Sequence, residues 1–347
     1  MAFKQVIEMY DFLENPKVDG KGVASLLKRR GADRVEVKRI KGERGTTDSI
    51  KVWIYGLRGR SAKGDAPTLG VIGRLGGIGA RPEVLGLVSD GDGAITALSV
   101  ALKLAEMKKR GDVLQGDVIL STHICPHAPV TPHDPVPFMG SPVNMETLNA
   151  HEVDPAMEAI LSVDTTKGNR IINQRGFAIS PTVKEGYILR VSEDLLSIME
   201  ITTGRRPSVF PITMQDITPY GNEIHHLNSI LQPSVATHAP VVGVAITTET
   251  IVPGCATGAS HGVDIEEAVR FCIEVAKAFG RGMCRFYDEK EFERMIALYG
   301  PMTHLQTLRG RTTSKGGNLD CKKNGHDHDR PISEDGPCAG DAGDAWP

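Results

Sequence analysis

The chain has 347 residues, 40% of them hydrophobic and 24% charged, with a formal net charge of -3. That composition is ordinary for a globular protein with a sizeable core, and basic residues scattered among acidic ones leave no electrostatic footprint for nucleic acid. No apolar run reaches the ~18 residues a membrane span needs, and MAFKQVIEMYDFLENPKV carries acidic residues where a signal peptide has its apolar centre, so a cytoplasmic protein without a membrane partner is expected. The six cysteines have no regular spacing, which fits buried free thiols better than a disulfide framework.

Residues 3–30 read as an amphipathic helix, a break at Pro16–Gly20, and a second helix ended by Gly31. Val35–Ile40 and Ser49–Tyr55 alternate apolar and polar residues, as half-buried antiparallel strands at a sheet edge do. Together, residues 1–60 are expected to form a cover of helices and strands over the body of the chain. Thr68–Ile72 is a buried strand that runs into a glycine-rich loop, Gly73–Arg81, holding Arg74, Gly76, Gly77 and Arg81. After Leu85–Val88 comes Ser89-Asp90-Gly91-Asp92-Gly93. Ile95, Leu98, Leu102 and Ala105 then recur at helical spacing, with Asp92 as the expected N-cap. Asp117–Ser121 is a second buried strand, running straight into Thr122-His123-Ile124-Cys125-Pro126-His127.

Pro126–Pro142 is too rich in proline for a helix or a central strand, and is expected to form a long ordered loop bearing His133 and Asp134. Pro155–Leu161 reads as a short helix feeding another strand that stops at Asp164. Residues 176–191 alternate as strands around Lys184-Glu185-Gly186, 192–203 form a helix, and 208–214 form a strand ending at Gln215-Asp216. His225 and His226 come next, on an expected short helix. Val241–Thr247 is a further buried strand, leading to the loop Pro253–Gly262, which carries His261, and to a helix over Asp264–Phe279. Strands alternating with helices predict a three-layer α/β/α sandwich with a mixed, mostly parallel sheet, as one domain over residues 1–308. Residues 309–347 have almost nothing to bury and read as a disordered tail, and Cys321, His326, His328 and Cys338 in it are too irregularly spaced for a metal site.

Acidic, imidazole and thiol groups therefore gather at the C-terminal ends of successive strands, the edge at which open, mostly parallel sheets bind ligands. Asp90, His123, Cys125, Asp164 and His261 make the mixed donor set that one divalent transition metal wants, zinc first. Asp92, His127 and His133 are the nearest candidates for a general base. The plainer alternative is that the aspartates cap a helix and the histidines bond to loop carbonyls. The glycine loop with Arg74, Gly76, Gly77 and Arg81 equally fits a carboxylate or phosphate anion. It lacks both the P-loop and the Rossmann fingerprints, and no Gly-x-Ser-x-Gly elbow occurs.

IGRLGGIGARPE, THICPHAP, SVDTTKGNRIIN, PTVKEGYILRVSEDLL, QDITPYGN and PGCATGASH resemble a bacterial and archaeal family labelled as a domain of unknown function. More distantly, residues 68–280 resemble zinc aminopeptidases of the tetrahedral and glutamyl aminopeptidase type, which implies the zinc-exopeptidase fold. In that resemblance Asp90-Gly91-Asp92-Gly93 matches the metal-bridging position, Asp164 a further ligand and His261 the last one. Arg74–Gly79 stands where a histidine ligand is usual, His123-Ile124-Cys125 replaces the usual glutamate pair, and the inserted dimerisation domain is absent. The resemblance implies a metal-dependent hydrolase of a small amide or short peptide-like substrate. The alternative is a non-catalytic or differently catalytic small-anion binding protein on the same fold. A homo-oligomer is left open.

Overall fold

A computed structural model describes residues 1–74, 87–132, 138–166, 171–249 and 260–308. Helices α1 (Phe3–Glu14) and α2 (Gly20–Arg30) come first. The Asp19 side chain caps α2 by accepting from Gly22 N–H at 2.7 Å. Gly31 ends it at φ 109°, where a glycine is needed for its N–H to turn back onto Leu27 and Lys28 carbonyls. The strands β1 (Arg34–Gly42) and β2 (Gly45–Ile54) form a hairpin. Next in the chain are β3 (Leu69–Gly73), α3 (Asp92–Lys109), β4 (Val118–Ile124), a two-stranded ribbon of β5 (Val130–Thr131) and β6 (Phe138–Met139), and α4 (Met145–Glu152). The second half holds β7 (Ala159–Thr165), β8 (Gly176–Ile179), β9 (Val183–Lys184), β10 (Tyr187–Ile188), α5 (Glu193–Thr203), β11 (Val241–Thr247), α6 (Gly262–Gly280) and α7 (Glu289–Tyr299).

The main sheet runs β1-β2-β4-β3-β7-β11-β9-β10, with β8 also paired to β11. Its four central strands, β4, β3, β7 and β11, are parallel, and antiparallel strands extend it on both sides. The expected α/β/α sandwich with a mixed sheet is therefore the observed architecture. One core lies between the sheet and α1, α2, α3, α5 and α6, and takes Leu69, Val71, Leu120, Leu161, Val163, Val242 and Val244 from the strands. On the opposite face Ile72, Ile119, Ile160, Val241 and Ala245 join a second core with Ile230 and Leu231. Both faces of the central strands are covered, and this is why they read as continuous apolar runs rather than alternating ones.

Two close approaches set the strand ends against the first turn of α3. A Cβ on Gly93 would stand 1.9 Å from Arg74 O and 2.5 Å from Val163 O, and one on Gly73 would stand 2.4 Å from Gly93 O. Glycine at both positions lets the helix N-terminus sit directly on the ends of β3 and β7.

Several expected elements differ. Asp92 is the first residue of α3 rather than its cap, which is Gly91. Instead of a helix over Pro155–Leu161, the chain makes a turn closed by Met157 N–H on Asp154 O at 3.0 Å and enters β7 at Ala159, and a helix stands earlier, at α4. Residues 208–214 form one bridge, Val209 to Ile179, before a 3-10 turn at Met214–Ile217. His225 and His226 lie in loop rather than on a helix, which begins only at the 3-10 segment Ser229–Ala236. The residues expected to form a tail, 309–347, lie outside the described residues. Among the described residues, no helix is long and apolar enough to cross a membrane.

Candidate functional site

The parity of the strands decides which side chains meet at the C-terminal edge of the parallel strands. Ile72 on β3 pairs with Ser121 on β4 and with Ser162 on β7. Two residues further along each strand, His123, Arg74 and Asp164 fall in one row, on the face that carries Ile72, Ile119 and Ile160. All three are buried, Arg74 completely at 0% exposure.

Helix α4 covers this row. Glu152, itself 0% exposed, places Oε2 2.8 Å from Arg74 Nε and Oε1 2.9 Å from His123 Nδ1. The contact to Arg74 is an ion pair by distance, off the line of a hydrogen bond. One turn earlier Asn149 Oδ1 accepts from Arg74 Nη2, its Nδ2 donates to Gln232 O at 3.0 Å, and Met145 Sδ meets Nη1. Ser121 Oγ donates to Glu152 O at 2.8 Å, tying the end of α4 to β4.

Asp164 ends β7 beside this network. Its Oδ1 accepts from Thr165 N–H at 2.7 Å and its Oδ2 from Ser229 Oγ at 3.0 Å. Burial pushes its carboxyl up from 3.8 to about 6, against the pull of those two donors and of the Arg74 charge, and the nearby Asp92 adds to the rise. Asp92, 0% exposed in the first turn of α3, accepts from Ser260 Oγ. Its place in the first turn puts it at the positive end of the α3 dipole. Asp90 is buried in the 3-10 turn just before α3.

The remaining candidates are placed elsewhere. Cys125 is buried, with Sγ 3.7 Å from Thr46 O, and burial pushes its thiol up to about 11, so it is neutral and turned towards β2 rather than a thiolate ligand. His261 is 43% exposed at the start of α6, with Nδ1 3.3 Å from both Thr248 Oγ1 and Asp264 Oδ2. His127 is exposed in the turn after β4. Asp216 organises a loop: Oδ2 accepts from Thr213 N–H at 2.8 Å, and Oδ1 from Leu227 and Asn228 N–H at 2.7 and 2.9 Å. His133, Gly76, Gly77 and Arg81 lie outside the described residues.

These placements bear on two expectations. Arg74 is not a guanidinium free to bind a carboxylate or phosphate, because it is enclosed and its fork is taken by Glu152, Asn149 and Met145. Among the described residues, no three His, Cys, Asp or Glu side chains stand together so as to hold a metal ion. Sequence reasoning missed Glu152, Asn149, Ser229 and Ser260. Met145, Asn149 and Glu152 stand at i, i+4 and i+7, one helical face, behind Asn144, whose side chain caps α4. That spacing was the available signal.

An open cleft of about 1080 Å3 lies at the opposite edge of the sheet, near Pro67, Glu158 and Pro240, just ahead of β3, β7 and β11. It reaches α4 at Glu146 and Asn149, and Asn149 also accepts from Arg74 in the strand-end row.

The family model described as "Protein of unknown function (DUF1177)" matches residues 38–309. The chain belongs to that family. No curated protein sequence matches it. Among solved structures it is similar to the bottromycin maturation enzyme BotP, at 15% identity and a TM-score of 0.50, over 81% of this chain and 70% of that one. A second BotP structure, in complex with Mn, gives 14% identity and a TM-score of 0.49, over 81% and 71%. The cytosol aminopeptidase of Coxiella burnetii gives 14% identity and a TM-score of 0.46, over 80% and 68%. At such identities the likeness is one of fold: the chain shares a mixed α/β architecture with BotP.

Proposed function

We propose that the chain is a hydrolase of small amide or peptide-like substrates, with Asp164 as the group that handles the proton. The observation that carries this reading is a buried carboxylate at the C-terminal edge of the sheet, raised to about 6 by burial and fixed by Thr165 N–H and Ser229 Oγ. A base works best with a pKa near the operating pH, and a value of about 6 leaves it ionised at neutrality yet still able to hold a proton. In this reading Asp164 takes a proton from the water that attacks the amide carbonyl carbon and delivers it to the leaving nitrogen. Asp92, held by Ser260, offers a negative charge to a free amino group on the substrate. The likeness of fold to the maturation enzyme BotP supports the assignment at the level of architecture. The described donors do not assemble a metal site, so no step here passes through an ion.

The test is hydrolysis of a panel of aminoacyl p-nitroanilides and dipeptides by the wild type, Asp164→Asn and Asp92→Asn. The wild type is expected to turn over at least one of them. Asp164→Asn should lower kcat/KM by about 100-fold or more, and Asp92→Asn should act mainly by raising KM. A wild type inactive on the whole panel, or an Asp164→Asn variant as active as the wild type, contradicts the reading.

A further inference from the structure

Between Thr213 and Asn228 the chain folds back on one buried carboxylate. Asp216 Oδ2 accepts from Thr213 N–H at 2.8 Å while its Oδ1 accepts from Leu227 and Asn228 N–H at 2.7 and 2.9 Å, so the two ends of the segment are held side by side. Gln232, also buried, donates from Nε2 to Thr218 O at 2.8 Å and to Asp216 O at 3.3 Å. Inside the loop the His226 ring stands edge-on to Tyr220, 4.3 Å between centroids, with Nε2 3.4 Å from Thr218 Oγ1. Compact surface loops closed in this way frequently carry function.

The loop also gathers exposed apolar side chains. Met214, Tyr220, Ile224 and Leu227 are each more than a third exposed, and they make up four of the fifteen large hydrophobic side chains exposed in the described chain. Such residues scattered singly are ordinary, whereas a group of them on one closed loop marks a contact surface. The loop runs directly into Ser229, whose Oγ donates to Asp164 Oδ2 at 3.0 Å. Leu227 stands two residues before it, at most about 7 Å away along the chain.

We propose that Tyr220, Ile224 and Leu227 form the surface on which the substrate rests a bulky apolar side chain, beside the amide that Asp164 acts on, so that the substrates are peptide-like amides with leucine- or phenylalanine-sized groups. The inference rests on the proposed function for the place of the reacting amide. Apolar area taken out of water favours binding in proportion to its extent, and contacts to a part of the substrate away from the reacting bond can hold that bond in place. The bonds to Asp216, Gln232 and His226 hold the loop in shape, which lowers the cost of ordering it on binding. A second copy of the chain fits less well. Four apolar side chains, interleaved with the exposed Asn222, Glu223 and His225, are few beside the roughly 20–30 residues a side of a stable interface.

The test reads binding rather than turnover. Leucinol, phenylalaninol and ethanolamine carry an amino group with a large apolar side chain or none, and no bond to cleave; their Kd values for the full-length protein are measured by ligand-observed NMR titration. The wild type is expected to bind leucinol or phenylalaninol at least about 10-fold more tightly than ethanolamine. Ile224→Ser combined with Leu227→Ser, and Tyr220→Ser separately, should each bring that ratio below about 3-fold while leaving the fold intact, because exposed positions cost little when substituted. Light scattering after size exclusion should give the same mass for the variants as for the wild type. Ile224→Ala and Leu227→Ala, milder changes at the same positions, are read in the same way and keep the test open where a serine variant fails to fold.

A wild type that binds none of the three, or binds them equally, overturns the proposal, and so do folded variants that keep the preference. A variant whose mass falls to a fraction of the wild type's overturns it too, because the loop is then an interface between copies. A preference that the variants lose, in a protein that hydrolyses no member of the p-nitroanilide panel, sinks the proposed function alone. Hydrolysis of glycyl and leucyl p-nitroanilides at equal kcat/KM, with equal Kd for ethanolamine and leucinol, sinks this inference alone.

Discussion

At the scale of single residues, Asp164 combines a functional poise with a cost to stability. Its folded-state pKa, raised from 3.8 to about 6, means that the native chain binds the proton more tightly than the unfolded chain does. The favourable contribution is therefore complete below pH 4 and is lost as the pH rises through 6. At neutrality the ionised, buried carboxylate costs about 3 kcal/mol relative to its protonated form. Asp164→Asn keeps the shape and removes the titration. The wild type's unfolding free energy relative to that variant should therefore fall by about 2–3 kcal/mol between pH 4 and pH 7, as read by urea denaturation at each pH. A difference that is flat across that range, or grows with pH, would show that burial does not govern this carboxyl. Arg74 shows how a residue's role was readable and yet missed. Its parity with Ile72 points it at the covered face of the sheet, but the run of glycines after it suggested an open loop.

At the scale of elements, the site depends on α3 and α4 being pressed onto strand ends. The apolar strands and the regular helices were legible because their periodicities reflect burial on known faces: Val241–Thr247 is β11 residue for residue, and Asp264–Phe279 falls inside α6. Helix α4 was not legible, because only Leu148, Asn149 and Glu152 are buried on it, and two polar side chains bonded to an arginine leave no apolar stripe. Residues 208–214 failed as a strand because they add only one bridge to the sheet. The packing of α3 yields its own prediction. At Gly93 the atoms that a new Cβ would strike, Arg74 O and N and Val163 O, are all backbone and cannot rotate away. Gly93→Ala should therefore cost about 3 kcal/mol in denaturant unfolding, or prevent folding. A change within about 0.5 kcal/mol, usual for a surface position, would mean that the helix does not rest on the strand ends in this way.

At the scale of the whole molecule, the sequence was legible as far as the architecture and the edge that carries the polar groups. Their partnerships were not, because a partner such as Glu152 for Arg74 is set by how α4 lies across the sheet, and residue spacing carries no information about that. Asp92 lies near Asp164 where β7 ends, whereas His123 and Cys125, both near the end of β4, turn to opposite neighbours, Glu152 and Thr46. The molecule that results is a sheet whose C-terminal edge holds a buried guanidinium under α4 and, near it, a buried carboxyl raised to about 6. The central claim is that Asp164 is the base of an amide hydrolase. The most direct measurement is the pH dependence of kcat/KM for the best substrate of the panel, from pH 4.5 to 9. The expected rate rises with a single limb near pH 6 and is flat above it, with the limb absent from the residual activity of Asp164→Asn. A wild-type profile with no limb near pH 6, or the same limb persisting in Asp164→Asn, would contradict it.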